Sequence, residues 1–333
     1  MSALYSLIIV LALVVVALLG AGAAGLTTVF GVVIPYVALA FFVLSFIYRV
    51  FDWGRSAVPF RIPTTGGQQE SHPWIKQDRL DNPSSTGGVV LRMILEVLLF
   101  RSLFRNSRLQ HSNGADGPKI SYASVKFLWL GAIAFHASFA VILLRHMRFF
   151  TEPVPLPIAW VDTLDSLMQV GTPVLYGTDV IILLALAYLF LRRVLVPQMR
   201  YISLASDYFI LFLLLAIVTS GVMMRFWLRT DIMDVKTLTM GLVTFSPQVP
   251  AGIGVIFYVH LFLVCALLVY FPWSKLMHFA GVFLSPTRNM ANNNRMRRHV
   301  NPWNYPVKVH TYEEWEDEYR EVMKEAGLPV EKE

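Results

Sequence analysis

Residues 125–148 read VKFLWLGAIAFHASFAVILLRHMR, an apolar run long enough to cross a bilayer that carries two histidines, His136 and His146. Lipid offers no water to an imidazole, so each ring must find a partner inside the protein. Residues 253–278, IGVIFYVHLFLVCALLVYFPWSKLMH, repeat the pattern with His260 and His278. Two crossings with two histidines each suggest bis-histidine ligation of two haems, one toward each leaflet.

The rest of the 333 residues agrees with a membrane setting. Hydrophobic residues make up 56% and charged residues 15%, against about half and a quarter in a soluble domain. The apolar residues come in long blocks, which predicts an all-α, polytopic bundle of six spans near 4–24, 28–49, 125–147, 177–196, 206–227 and 253–273. The first span lacks a basic leading stretch, so it reads as a retained helix rather than a signal peptide. The formal charge of +6 comes from residues flanking spans, which argues against nucleic acid as the partner. The lone thiol, Cys265, can form neither an internal disulfide nor an Fe–S cluster, which takes about four ligands. Any iron–sulfur chemistry therefore belongs to another subunit.

Lys and Arg cluster in 51–124, around Arg192–Arg200 and in the tail with Lys275, Arg288, Arg297 and Arg298, which sets both termini on the cytoplasmic side of the cell membrane. The chain then divides into an N-terminal helical pair, 1–50, and a cytoplasmic segment, 51–124. A four-helix haem-binding core, 125–279, and a cytoplasmic tail, 280–333, follow. Within the cytoplasmic segment, 56–88 reads as irregular, and 89–108, VVLRMILEVLLFRSLFRNSR, as an amphipathic helix in the inner interface or against a partner. The outer loop 149–178 has prolines 153, 155 and 157, then an amphipathic piece over 159–170. In the tail, Thr311 and Glu314 have capping-box spacing, and Gly327 and Pro329 stop the helix they start.

Geometry tests the haem idea. His260 and His278 are 18 residues apart, five full turns; His136 and His146 are 10 apart, off alignment by roughly 80°. Antiparallel helices pair His136 with His278 near the cytoplasm and His146 with His260 near the outer face. Their unequal spacings require tilt or a bend, and Pro272 offers one. The plain alternative is four core histidines, and His72, His111, His299 and His310 read as ordinary loop histidines. Small residues beside His136 (Gly131, Ala132, Ala134, Ala137) leave room for a macrocycle or for close helix packing. Phe127, Trp129, Phe135, Phe257, Tyr258 and Phe262 could line its edges or simply fill the core. A proton-relay transporter is the rival function; it would carry repeats and broken helices, and the sequence has no clear repeat.

The 10- and 18-residue histidine spacings resemble those of the respiratory nitrate reductase gamma subunit family, dihaem cytochromes b. The EVLLFRSLFRNSRLQ stretch and the tail from NPWNYPVKVHTYEEW onward are more similar to the DsrM branch, membrane haem-b subunits of complexes associated with dissimilatory sulfite reduction. The resemblance implies two haem b, ligated by His136 with His278 and by His146 with His260, and menaquinol or menaquinone reacting near the outer haem. Candidate quinol-site residues are Arg145, Arg148, Asp162 and Asp165. It also implies a cytoplasmic heterodisulfide-reductase-like Fe–S partner (DsrK), with further membrane and outer-face cytochrome c and Fe–S subunits. Arg145 stands where the nitrate reductase subunit has glycine before the distal histidine. A quinol-oxidising gamma subunit of another respiratory reductase remains the alternative.

Overall fold

The computed structural model describes all residues except 1, 57, 59, 60, 63–68, 71, 73, 115, 116, 168, 172–174, 296–309 and 333. The tail positions Arg297, Arg298 and His299 thus lie outside the described residues. In chain order the helices are α1 (Ser2–Ala17), α2 (Ile34–Gly54), α3 (Thr86–Leu99), α4 (Arg101–Arg105), α5 (Lys126–His146), α6 (Leu156–Ser166), α7 (Gly177–Leu195), α8 (Pro197–Ile202), α9 (Ala205–Phe226), α10 (Ile232–Val243), α11 (Val255–Tyr270), α12 (His278–Leu284) and α13 (Tyr312–Glu325). Two antiparallel hairpins interrupt them: β1 (Ser107–Gly114) with β2 (Gly117–Ser124), and β3 (Gln169–Val170) with β4 (Leu175–Tyr176).

Five helical stretches are long and apolar enough to cross a membrane: Ser2–Ala23, Val29–Gly54, Lys126–Phe149, Ala205–Phe226 and Val255–Trp273. The expected fourth span falls on the 19-residue α7, whose ends carry Asp179, Arg192 and Arg193 and which is not one of those five. The first two spans join through π-helical turns on either side of Gly25, whose φ of +65° makes the tight reversal. Gly20 lets the two legs close: a Cβ there would stand 2.3 Å from the Phe30 ring.

Helix α9 is the hub. Its Leu213 joins Val10, Ala17, Phe30, Tyr258 and Leu263 in one core, built from α1, α2 and α11. Its Leu214 joins Ile182 and Leu186 of α7, with Phe135, Phe139 and Ile142 of α5 packed on them. So α5 rests on α7, and α11 rests on α9 and α2; α5 and α11 make little direct contact. Helices α5 and α11 therefore meet through side chains rather than by close backbone approach.

The chain is mostly helical, and the two hairpins are additions to the helical bundle expected from the sequence. The interfacial helix expected over 89–108 is also shorter: it stops at Leu99, where Phe100 turns left-handed (φ 50°), resumes as α4, and gives way to β1 at Ser107. Leu91, Ile94 and Leu98 of α3 are exposed along one face while Arg92 is buried on the other, so its amphipathic character holds. The outer piece expected over 159–170 is α6, ending at Ser166. At the C-terminus the capping box forms: the Glu314 N–H donates to Thr311 Oγ1 (3.2 Å) and the Thr311 N–H to Glu314 Oε2 (3.1 Å). Gly327, at φ +69°, follows the end of α13.

Candidate functional site

The break in the last span sets the geometry. After Tyr270, Pro272 sits in a 3-10 turn, Ser274 is extended, and a second 3-10 turn leads to His278, the first residue of α12. The expectation that five turns of one continuous helix align His260 with His278 is thus corrected. Proline removes a backbone donor and clashes with the preceding turn, and the chain restarts in a new direction.

The four histidines meet as two pairs. The His136 and His278 ring centroids are 5.9 Å apart at 83°; those of His146 and His260 are 6.4 Å apart and nearly parallel at 14°. These partners are the ones the sequence spacing proposed. Two axial imidazoles on one metal, with metal–nitrogen bonds of about 2.1 Å, set their centroids roughly 6–6.5 Å apart. The outer spacing falls in that range and the inner one lies just below it.

Each ring is also oriented through Nδ1. His136 donates to Ala132 O (2.8 Å), His146 to Ile142 O (2.7 Å) and His278 to Lys275 O (2.8 Å). His260 Nδ1 lies 2.9 Å from Ser220 Oγ, and that hydroxyl donates to Ile217 O at 2.9 Å. The hydroxyl hydrogen is thereby used, so Ser220 accepts from the imidazole. In all four rings Nδ1 carries the proton and Nε2 keeps its lone pair, the arrangement of a metal-ligating histidine. Among the described residues no three His, Cys, Asp or Glu side chains converge as a conventional metal site. Each layer offers two nitrogens, the number a planar macrocycle leaves to axial ligands. The donor set therefore fits haem.

Aromatic rings sort themselves around the layers. Phe135 and Phe100 each stand edge-on to His136 at 5.0 Å. Phe149 stands edge-on to His146 at 5.9 Å. Phe127 is exposed, Trp129 Nε1 donates to Leu99 O (2.7 Å), and Phe257 and Tyr258 belong to the core beside α1. Phe262 packs on Phe30 at 5.3 Å. Gly131 packs on α7: a Cβ there would meet the Tyr188 ring at 2.5 Å, so it serves helix packing. Of the loop histidines, His72 stacks on Trp74 at 4.5 Å, His111 lies in β1, and His310 Nδ1 is 3.9 Å from Glu318.

Beside His146 the structure gathers Arg145, Arg148, Asp162 and Asp165. Arg145 pairs with Asp165 and, at 3.2 Å, with Asp162; Arg148 reaches Asp162 at 2.8 Å. Topology alone would leave Arg145 at a wet helix end, but it is only 7% exposed, and Asp165 6%. Thr178 Oγ1 donates to Asp165 Oδ2 at 2.7 Å. Tyr176 lies between two guanidinium groups, with Arg145 Cζ 3.8 Å and Arg225 Cζ 4.2 Å from its ring centroid, and Arg225 also donates to its hydroxyl. The sequence reading missed Tyr176, Thr178, Arg225 and Ser220; an arginine inside an apolar span was the available signal for Arg225.

Residues 91–298 match the family described as nitrate reductase gamma subunit. A protein of Archaeoglobus fulgidus, "Hdr-like menaquinol oxidoreductase cytochrome b-like subunit", is 46% identical over 282 residues, 83% of each chain. One of the same description from Archaeoglobus profundus is 46% identical over 277 residues, 81% of each chain.

Proposed function

Because this chain belongs to the nitrate reductase gamma subunit family, we propose that it is the membrane cytochrome b subunit of a menaquinol oxidoreductase. The observation that carries the reading is the pairing of four Nδ1-anchored imidazoles at 5.9 and 6.4 Å. In this reading His136 and His278 hold an inner haem b, and His146 and His260 an outer one. Each haem, when bound, supplies one-electron redox chemistry at its own depth. Helix α7, about 28 Å long at 1.5 Å per residue, is the fourth of six spans, and both termini are cytoplasmic by the distribution of Lys and Arg.

The polar wall beside His146 is the quinol site. Asp162 and Asp165 can take up the protons that menaquinol gives up on oxidation. Arg145 and Arg148 hold those carboxylates in place. Thr178 holds Asp165 in place, and Tyr176 closes the wall between Arg145 and Arg225. At the inner end, the exposed apolar face of α3 and the acidic helix α13 are the contacts for a cytoplasmic Fe–S subunit, heterodisulfide-reductase-like as DsrK is. Similarity of the tail to the DsrM branch supports a complex serving dissimilatory sulfite reduction, with outer-face cytochrome c and Fe–S subunits.

A reduced-minus-oxidised spectrum of the purified complex tests this. Two b-type haems per chain, reducible by a menaquinol analogue, are expected, with slower reduction in Asp165→Asn. A chain without b-type absorbance overturns the reading.

A further inference from the structure

Where the segment after α2, helix α3 and the residues after α12 meet, two buried arginines have no ion-paired carboxylate among the described residues. Arg61 is 3% exposed and Arg92 7%. Arg61 Nε and Arg92 Nη1 both donate to the same backbone oxygen, Thr287 O, at 3.1 Å. Arg61 Nη2 reaches Asp81 O at 3.4 Å, and Arg61 Nη1 is buried without a partner among the described residues. The neighbouring carboxylates are engaged elsewhere. Asp81 is held by Arg101 (2.7 Å) and Arg105, Asp78 by Arg105 (3.4 Å), and Glu96 by Arg288 (3.2 Å) and Ser102. Burial, with Arg92 adding to it, pulls the Arg61 guanidinium down to about 10. Two desolvated cations sharing one carbonyl are costly unless an anion joins them.

We infer that Arg61 and Arg92 bind a carboxylate of the inner haem, a propionate that enters the fold with the cofactor; this rests on the assignment of His136 and His278 above. Two connections support it. Thr287 lies just beyond α12, the seven-residue helix that begins with His278. Helix α3, which carries Arg92, ends at Phe100, whose ring stands 5.0 Å from that of His136. Both arginines thus attach to the segment that follows His278, and Arg92 shares its helix with the cap residue that touches His136. A lipid phosphate would have to reach them from outside, whereas their low exposure favours a group already inside the protein.

The test compares Arg61→Gln with the unaltered full complex by redox titration, counting haem per chain and tightly bound phospholipid as phosphorus. A His146→Ala background, which keeps only the inner haem, assigns any shift. The expected result is full haem content and unchanged phospholipid. The inner haem becomes about tenfold harder to reduce, 59 mV for one electron, because a nearby positive charge is lost. The outer haem stays unmoved, and Arg61→Lys keeps the original value. An unmoved inner haem overturns the inference. If phospholipid is lost with it, the anion is a lipid phosphate; if not, nothing binds there. Should Arg61→Gln fail to accumulate, Arg92→Gln is read the same way. Absence of b-type haem from the unaltered complex would overturn the underlying reading instead.

Discussion

Replacing Ser220 with Ala tests how the outer histidine pair is held. The hydroxyl is the acceptor for His260 Nδ1 at 2.9 Å, inside a span where water cannot substitute. Its loss leaves a buried donor unmade, a cost of about 1–3 kcal/mol. It also lets the ring rotate and lowers its basicity. Loss of such an outer partner typically weakens a metal site by about 10–100-fold, the same range expressed as a ratio. Haem should therefore leave the outer layer roughly 10–100 times faster on dilution into detergent, with the inner layer unchanged. The outer haem should also titrate at a more positive potential, since a weaker donor stabilises ferric iron less. Ser220→Thr, which keeps the hydroxyl, should behave as the unaltered protein. The assay is the time course of b-band loss combined with a redox titration. An Ala variant that keeps both haems with unaltered rates and potentials would refute the reasoning.

Three further outcomes follow from the geometry. Asp165→Asn leaves Arg145 buried with a weakened partner, a loss of about 3–5 kcal/mol visible as a lower unfolding temperature in detergent; Asp162→Asn, at a side chain 30% exposed, should cost much less. Pro272→Ala allows α11 to run on past Tyr270 and carries His278 away from His136, so haem analysis should find the inner component depleted and the outer one intact. At the C-terminus Glu316 accepts the Lys332 and Glu331 N–H groups, both at 3.0 Å, and these bonds hold its carboxyl below the usual range. A lowered acid contributes stability above its unfolded value and loses it as pH falls through the folded one. The protection of those two amides, relative to intrinsic exchange at each pH, should be high at neutral pH and fall as pH drops below the ordinary carboxylate range, and Glu316→Gln should lower that protection at neutral pH.

The bundle was legible because lipid imposes a simple rule, long uninterrupted apolar helices. The histidine partners were legible for a related reason: a polar ring in such a helix has few places to go, and antiparallel order fixes which rings meet. The capping box at Thr311 and the break at Pro272 are local chemistry, and both appear where the residues put them. The β1–β2 hairpin was missed because its apolar face holds only Leu109, Ile120 and Tyr122, all exposed, so the alternation that marks a half-buried strand is weak. Its available signal was turn chemistry around Asn113 and Gly114. Ser220 and Tyr176 were out of reach for a different reason. Their partners His260 and Arg225 lie 40 and 49 residues away, and an ordinary serine or tyrosine beside a span gives no sign of which distant side chain it will meet. Arg145, Arg148, Asp162 and Asp165 were candidates from the sequence, but charge at a helix end is usually solvated, and only the fold of α6 over Arg145 shows the buried pair.

The central claim is that four imidazoles form two separate axial pairs. Counting haem, and recording which potential survives, in His136→Ala, His278→Ala, His146→Ala and His260→Ala tests it most directly. The account requires His136→Ala and His278→Ala to lose the same component, and His146→Ala and His260→Ala to lose the other. If the two substitutions within one helix, His136→Ala and His146→Ala, removed the same component, or if all four left the spectrum intact, the account would be contradicted.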